Sequence, residues 1–159
     1  MIRICFVCLG NICRSPTAEA VMQRLIETED LTDRIQLDSA GTGAWHAGHA
    51  ADPRSRQAGT QRGYNLSSIA RQVTRDDFES FDYIVAMDRQ NRDDLLALAP
   101  SKDLQAKVHL LRSFDPNAPP EAEVPDPYYG GDDGFAKVLD ICEAGCEGLL
   151  AHIRRHDLS

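Results

Sequence analysis

The stretch Ile4-Cys5-Phe6-Val7-Cys8-Leu9-Gly10-Asn11-Ile12-Cys13-Arg14-Ser15-Pro16 places a thiol six residues before a guanidinium. Its apolar, β-prone beginning reads as a buried strand. Gly10 and Asn11 are the residue types that most readily take positive φ, so they mark a tight loop. Ser15 offers an N-cap and Pro16 suits a first helical position, so a helix is expected to begin there. Cys8 then stands where a strand ends, and Arg14 where a helix begins. The amides of Leu9, Gly10, Asn11, Ile12, Cys13 and Ser15 can turn inward around an oxyanion, helped by the positive end of the helix. Arg14 adds a planar fork matched to two oxyanion oxygens. The same positive field favours the thiolate of Cys8. A thiolate at the floor of an anion cradle is a nucleophile aimed at phosphorus.

Cysteine followed by arginine at this spacing is a weak pattern by itself, since a buried cysteine near a solvated arginine gives it too. Context sharpens it. Of the five cysteines only Cys8 has an arginine six residues on. Only there does the pair follow a strand, span a Gly-Asn loop and precede a Ser-Pro helix start.

The elements that must position this loop can be read from periodicity. A first helix is expected from about Pro16 to Glu29, with Ala18, Val21, Met22, Leu25 and Ile26 on one face. Strands are expected at residues 35–40, 83–87 and 108–111. Asp52-Pro53 opens a second helix to about Arg62, stopped by Gly63. Thr74 caps a short helix, and Asp88 starts another that ends near Pro100. A long irregular loop from Ser113 to Gly134 holds five of the eight prolines; loops of that length in compact domains are usually functional or disordered. A last helix runs from about Gly134 or Phe135 to His156. Alternating strands and helices predict one three-layer α/β/α domain over the 159 residues, with a four-stranded parallel sheet in the order 2-1-3-4. Ligands bind such sheets at the carboxyl ends of the strands, where Cys8 lies.

Composition narrows the partners. A net charge of −8 argues against nucleic acid and an anionic membrane surface. The amino-terminal apolar run is too short for a signal peptide, and no stretch could span a bilayer. Five cysteines in this spacing do not form a secreted disulfide framework, so free thiols in a reducing cytoplasm are expected. Cys5 and Cys8 are three apart on a strand and face opposite sides, which is unsuited to one metal ion. Cys142 with Cys146, and His152 with His156, share helical faces but lack further ligands at recognisable spacing, so packing or solvated surface is expected.

The run Cys8 to Ala20 resembles the phosphate-binding loop of the low-molecular-weight protein tyrosine phosphatases. Asp126-Pro127-Tyr128-Tyr129-Gly130 resembles that family's acid loop. Asp38-Ser39-Ala40-Gly41-Thr42 with Trp45, Ala70 to Thr74, Phe81 to Ile84 and Met87-Asp88 are similar as well. The resemblance implies a flavodoxin-like fold and a metal-free, cofactor-free phosphomonoesterase acting on tyrosine-phosphorylated proteins, with inorganic phosphate and other oxyanions as inhibitors. It implies that Cys8 forms a phosphocysteine, that Arg14 and the loop amides hold the equatorial oxygens, and that Ser15 donates to the nucleophile. Asn11 is implied to hold the loop's shape; Cys13 is either a packing residue or, as the resemblance implies, the reversible disulfide partner of oxidised Cys8. Of two Asp-Pro pairs in the long loop, Asp126-Pro127 has tyrosines beside it that can wall an aromatic pocket, and Asp115-Pro116 has none. Asp126 is therefore expected to be the general acid, with Trp45, Tyr128 and Tyr129 as substrate rim. The family's supporting network includes the counterpart of Ser39 and usually a histidine where this chain has Ser68.

Three other readings share the loop. Arsenate reduction needs further cysteines to relay a disulfide, and residues 83–98 contain none. Phosphoarginine hydrolysis goes with threonine where this chain has Ile12, which favours an aryl phosphate. A non-catalytic phosphate-binding module has no use for Cys8, Arg14 and Asp126 together.

Overall fold

The order of hydrogen-bonded neighbours across the sheet is β2-β1-β3-β4, with every pairing parallel. These are β1 (Ile2–Cys8), β2 (Ile35–Gly41), β3 (Tyr83–Ala86) and β4 (Val108–Leu110). The computed structural model describes residues 1–128 and 131–158. The helices are α1 (Arg14–Thr28), α2 (Pro53–Gln61), α3 (Asp76–Ser80), α4 (Arg89–Leu98), α5 (Lys102–Gln105) and α6 (Asp132–His156), with a 3-10 turn at Leu111–Phe114. This is the expected three-layer α/β/α, flavodoxin-like arrangement.

The central strand β1 explains the layering. Alternate side chains point to opposite faces. Ile4, Phe6 and Cys8 join Val21, Met22 and Ile26 of α1 and Cys142, Cys146 and Leu149 of α6 in one core. Cys5 and Val7 join Ile84, Ala86, Phe78 and Leu95 in the other. Both faces are covered, so β1 is apolar from Ile4 to Cys8 rather than alternating. Cys5 and Cys8 lie on opposite faces, and Cys142 and Cys146 are core residues, as the sequence predicts.

The start of α1 corrects an expectation. The helix begins at Arg14, its N-cap is Cys13, and no side chain caps it. Ser15 does not act as a cap because its hydroxyl is engaged with Asn11 and Cys8 behind the loop. Pro16 falls within the first turn, where a missing N–H costs nothing. Thr17 Oγ1 instead donates to the Cys13 carbonyl at 2.7 Å. Two further differences are minor. The four-residue α5 has no periodicity from which to be read, and α6 starts at Asp132, ahead of Gly134.

Helix α6 anchors the base of the long loop through one close approach. A Cβ on Gly148 would lie 1.9 Å from the Phe114 carbonyl oxygen. Gly148→Ala must therefore push the 3-10 turn off α6. It is expected to lower stability by about 3 kcal/mol, as overpacking does, read by denaturant unfolding at unchanged m-value.

Candidate active site

The carboxyl end of β1 opens into one pocket of about 420 Å³. Cys8, Leu9, Gly10, Ile12, Cys13 and Arg14 line its floor, and Trp45, His46, Asp126 and Tyr128 its walls. Parallel sheets bind ligands at this edge.

The floor is the loop between β1 and α1, and its carbonyls are drawn outward. The Cys8 oxygen accepts from Thr42 N, the Leu9 oxygen from Gly43 N and the Ile12 oxygen from Asp52 N, at 2.8–2.9 Å. The loop N–H groups of Asn11 to Arg14 take no acceptor among the described residues. A row of such amides is an anion nest. Gly41 lets the end of β2 approach this closely, since a Cβ there would lie 2.8 Å from the Leu9 oxygen. Of the two loop residues suited to positive φ, Asn11 adopts it (φ 57) and Gly10 does not. At Gly10 the missing side chain instead admits His46, whose Cδ2 would meet a Cβ at 2.9 Å.

Asn11 is almost fully buried and points away from the pocket. Its Oδ1 accepts from Arg71 N at 3.0 Å. Its Nδ2 donates to Ser15 Oγ at 2.8 Å and to Ser39 Oγ at 3.0 Å. Three of the four hydrogen-bonding positions of its side-chain amide are thus tied to three segments. Ser15 Oγ lies 3.0 Å from Cys8 Sγ.

Arg14 is buried, yet it stays charged. Burial disfavours the cation, but Cys8, Asp88 and Asp126 more than offset it, and its pKa lies above the ordinary arginine value. Nη1 donates to Asp88 Oδ2 at 2.6 Å and to the Val124 carbonyl at 3.1 Å. Nη2 lies 3.5 Å from Asp126 Oδ2. Asp88 is a residue the sequence reading placed at a helix start and in a family-like segment, without a role in the site. It is the N-cap of α4, with Oδ1 accepting from Asn91 N, and its second oxygen takes Arg14. An aspartate just past β3, at the ligand-binding edge, is the signal that could have flagged it.

The long loop is pinned where it matters. Val124 N donates to the Met87 carbonyl at 2.8 Å, and the Val124 side chain is fully buried. Two residues on, Asp126 faces the pocket, with Oδ1 accepting from Tyr128 N at 3.0 Å. Asp115, the competing Asp-Pro residue, only closes a local turn on Asn117 N and does not line the pocket. Tyr128 and the exposed Trp45 line the pocket, and Tyr129 lies outside the described residues. His46, 6.1 Å from the Tyr128 ring, is a rim residue the sequence reading passed over.

Cys13 packs with Ile12, Ala70 and Phe135. Burial pushes its thiol pKa up to about 12, against the Ser55 hydrogen bond that pulls it down. It is therefore a protonated thiol near neutral pH. Among the described residues no cluster of three or more His, Cys, Asp or Glu could hold a metal ion, and no helix is long and apolar enough to cross a membrane.

The comparisons with known proteins agree with this geometry. The family model described as "Low molecular weight phosphotyrosine protein phosphatase" matches residues 3–158. A low molecular weight protein-tyrosine-phosphatase of Streptomyces coelicolor is 49% identical over 153 residues, covering 96% of this chain and 93% of that one. A low molecular weight phosphotyrosine protein phosphatase of Rattus norvegicus is 42% identical over 148 residues, 92% of each chain. Among solved structures, a protein tyrosine phosphatase from Entamoeba histolytica, crystallised with Hepes in its active site, superimposes with a TM-score of 0.93. It is 46% identical and covers 98% of both chains. The chain belongs to the low-molecular-weight phosphotyrosine protein phosphatase family, a family of hydrolases.

Proposed function

We propose that this protein hydrolyses phosphotyrosine in proteins, and small aryl phosphates, through a phosphocysteine on Cys8. The observation that carries the reading is the convergence on one pocket of Cys8, the amide nest, the buried Arg14 and Asp126. The Cys8 thiolate attacks phosphorus in line, and the S–P bond forms as the P–O bond to the phenol breaks. Charge spreads over the equatorial oxygens in the loose transition state, where Arg14 and the loop amides meet it. Asp126 gives its proton to the leaving phenolate oxygen. It then takes a proton from the water that attacks the phosphocysteine, and the S–P bond breaks to return the thiolate and release phosphate. Inorganic phosphate and other oxyanions should compete for the same nest. Positive charge comes from Arg14 and the amides, so a chelator is expected to leave the rate unchanged.

The depth of the pocket suits an aryl ester, with Trp45, His46 and Tyr128 around the ring and apolar Ile12 on the floor. A phosphoarginine peptide, which presents a cation in place of that ring, is expected to turn over more slowly. Cys13, five residues from Cys8 and lining the same pocket, would capture a Cys8 sulfenic acid as a reversible disulfide, releasing water. The free state of all five cysteines suits a reducing cytoplasm.

The general-acid assignment is tested by leaving-group dependence. Asp126→Ala is expected to lower kcat by roughly 10²- to 10³-fold for phosphotyrosine. The loss should be much smaller for an aryl phosphate whose phenolate needs no proton. Asp115→Ala should stay within about twofold on both substrates, because that residue does not reach the pocket. A larger loss from Asp115→Ala would move the acid.

A further inference from the structure

A cation that no step of the reaction above uses stands between the floor of the pocket and its acid wall. Arg54, half-buried in the first turn of α2, does not itself line the pocket. Its Nε donates to Asp52 Oδ1 at 3.1 Å and its Nη2 to Asp52 Oδ2 at 3.0 Å. Asp52 is buried and caps α2 by accepting from Arg54 N at 2.8 Å. Its own N–H donates to the Ile12 carbonyl at 2.8 Å, so the ion pair is fastened to the phosphate-binding loop. A guanidinium held edge-on by a carboxylate offers its flat face to aromatic rings. The Arg54 Cζ lies 5.3 Å from the centre of the Tyr128 ring and 4.8 Å from that of Phe135.

Those two rings belong to the two segments that hold the general acid. Tyr128 follows Asp126 by two residues, and its backbone N–H donates to Asp126 Oδ1 at 3.0 Å. That bond fixes one carboxyl oxygen and leaves Oδ2 on the Arg14 side, 3.5 Å from Nη2. Phe135 lies near the start of α6, where the acid loop packs closely: a Cβ on Gly134 would lie 3.3 Å from Pro127 Cβ. Arg54 thus spans from the loop that binds phosphate to the loop that carries the acid. If the Tyr128 ring shifts, its N–H shifts with it, and the Asp126 carboxyl loses the contact that sets its direction. Proton transfer requires hydrogen-bond reach, so a small misplacement of the acid slows it.

We propose that Arg54 is a positioning residue for Asp126: anchored on the phosphate-binding loop through Asp52, it holds the Tyr128 ring beside Phe135 and so keeps the acid aimed at the leaving oxygen. The inference rests on the phosphatase reading and deepens its assignment of Asp126.

Arg54→Met keeps the length of the side chain and removes the cation. It is expected to lower kcat/KM for a phosphotyrosine peptide roughly three- to fivefold, the size of a partly exposed cation–π contact. That ratio reports the first step, in which the phenolate takes the proton. For an aryl phosphate whose phenolate leaves unaided, kcat/KM should change by less than about 1.5-fold. In an Asp126→Ala background, Arg54→Met should have no further effect, because the group it positions is gone. The inhibition constant for inorganic phosphate should stay within about twofold. Asp52→Asn keeps an equally good N-cap but loosens the grip on the guanidinium. It should reproduce the substrate-selective loss at smaller size, which keeps the test available if Arg54→Met does not fold. Equal losses on the two substrates, with weaker phosphate binding, would mean that Arg54 acts on the floor through Asp52, and would overturn the inference. An unchanged rate on the phosphotyrosine peptide in both variants, or a loss that persists in the Asp126→Ala background, overturns it as well. Absence of any wild-type turnover of an aryl phosphate would instead overturn the phosphatase reading, and this inference with it.

Discussion

Replacing Cys8 with serine is expected to reduce aryl phosphate turnover by roughly 10⁴-fold or more while phosphate binding persists. A serine hydroxyl is a poor nucleophile unless a base takes its proton. The Ser15 hydroxyl, 3.0 Å from Cys8 Sγ, is held as a donor by Asn11 and is no base. The sulfur contributes its own negative charge, and in the first step Asp126 holds its proton for the leaving group and is not available as a base. The amide nest and Arg14 remain in place, so the variant should retain substrate. Initial rates with a phosphotyrosine peptide, paired with titration of phosphate by calorimetry, check both halves. Normal turnover by Cys8→Ser would mean that the nucleophile lies elsewhere.

The second large effect is expected at Arg14. Arg14→Lys keeps the charge but loses the fork, and kcat/KM should fall by roughly 10³-fold. One ammonium cannot hold Asp88 and the Val124 carbonyl while also facing the equatorial oxygens. The cost should appear mainly in kcat, because charge on those oxygens matters most as the P–O bond breaks. A loss confined to KM would indicate that Arg14 binds the ground state alone. Arg14 also ties the loop to α4 and to the acid loop through Asp88, Val124 and Asp126. Melting curves should therefore accompany the kinetics, so that a folding defect is separated from a catalytic one.

Much of this site is legible in the chain because its chemistry is local. Cys8, the loop and Arg14 are consecutive, and the doubly buried β1 announces itself by an unbroken apolar run. The sheet order follows from alternation and right-handed crossovers. What the chain conceals is whatever depends on a partner far away. The helix start is one case. Ser15 has the composition of a cap, but Asn11, Cys8 and the fold behind them engage its hydroxyl, and the helix begins at Arg14. Asp88 is another, since its capping role is written in Asp88-Arg89-Gln90-Asn91 while its grip on Arg14 spans 74 positions. Glu19 reaches Ser39 and Ser68, a set that no periodicity connects. The choice of Asp126 over Asp115, by contrast, is legible in the tyrosines beside it, and Val124, two residues earlier, is pinned by its backbone bond to Met87. Ser68 stands where the resemblance leads one to expect histidine, and its hydroxyl lowers the pKa of Glu19.

The most direct test of the account is to catch the intermediate. Asp126→Ala, mixed with an aryl phosphate whose phenolate leaves unaided, should complete the first step and stall before the second, because the base for water is missing. Rapid quenching, proteolysis and mass spectrometry should then find one phosphoryl group on the peptide that contains Cys8, localised to its sulfur. A phosphoryl group on another residue, or sustained turnover with Cys8 never phosphorylated, would contradict the account.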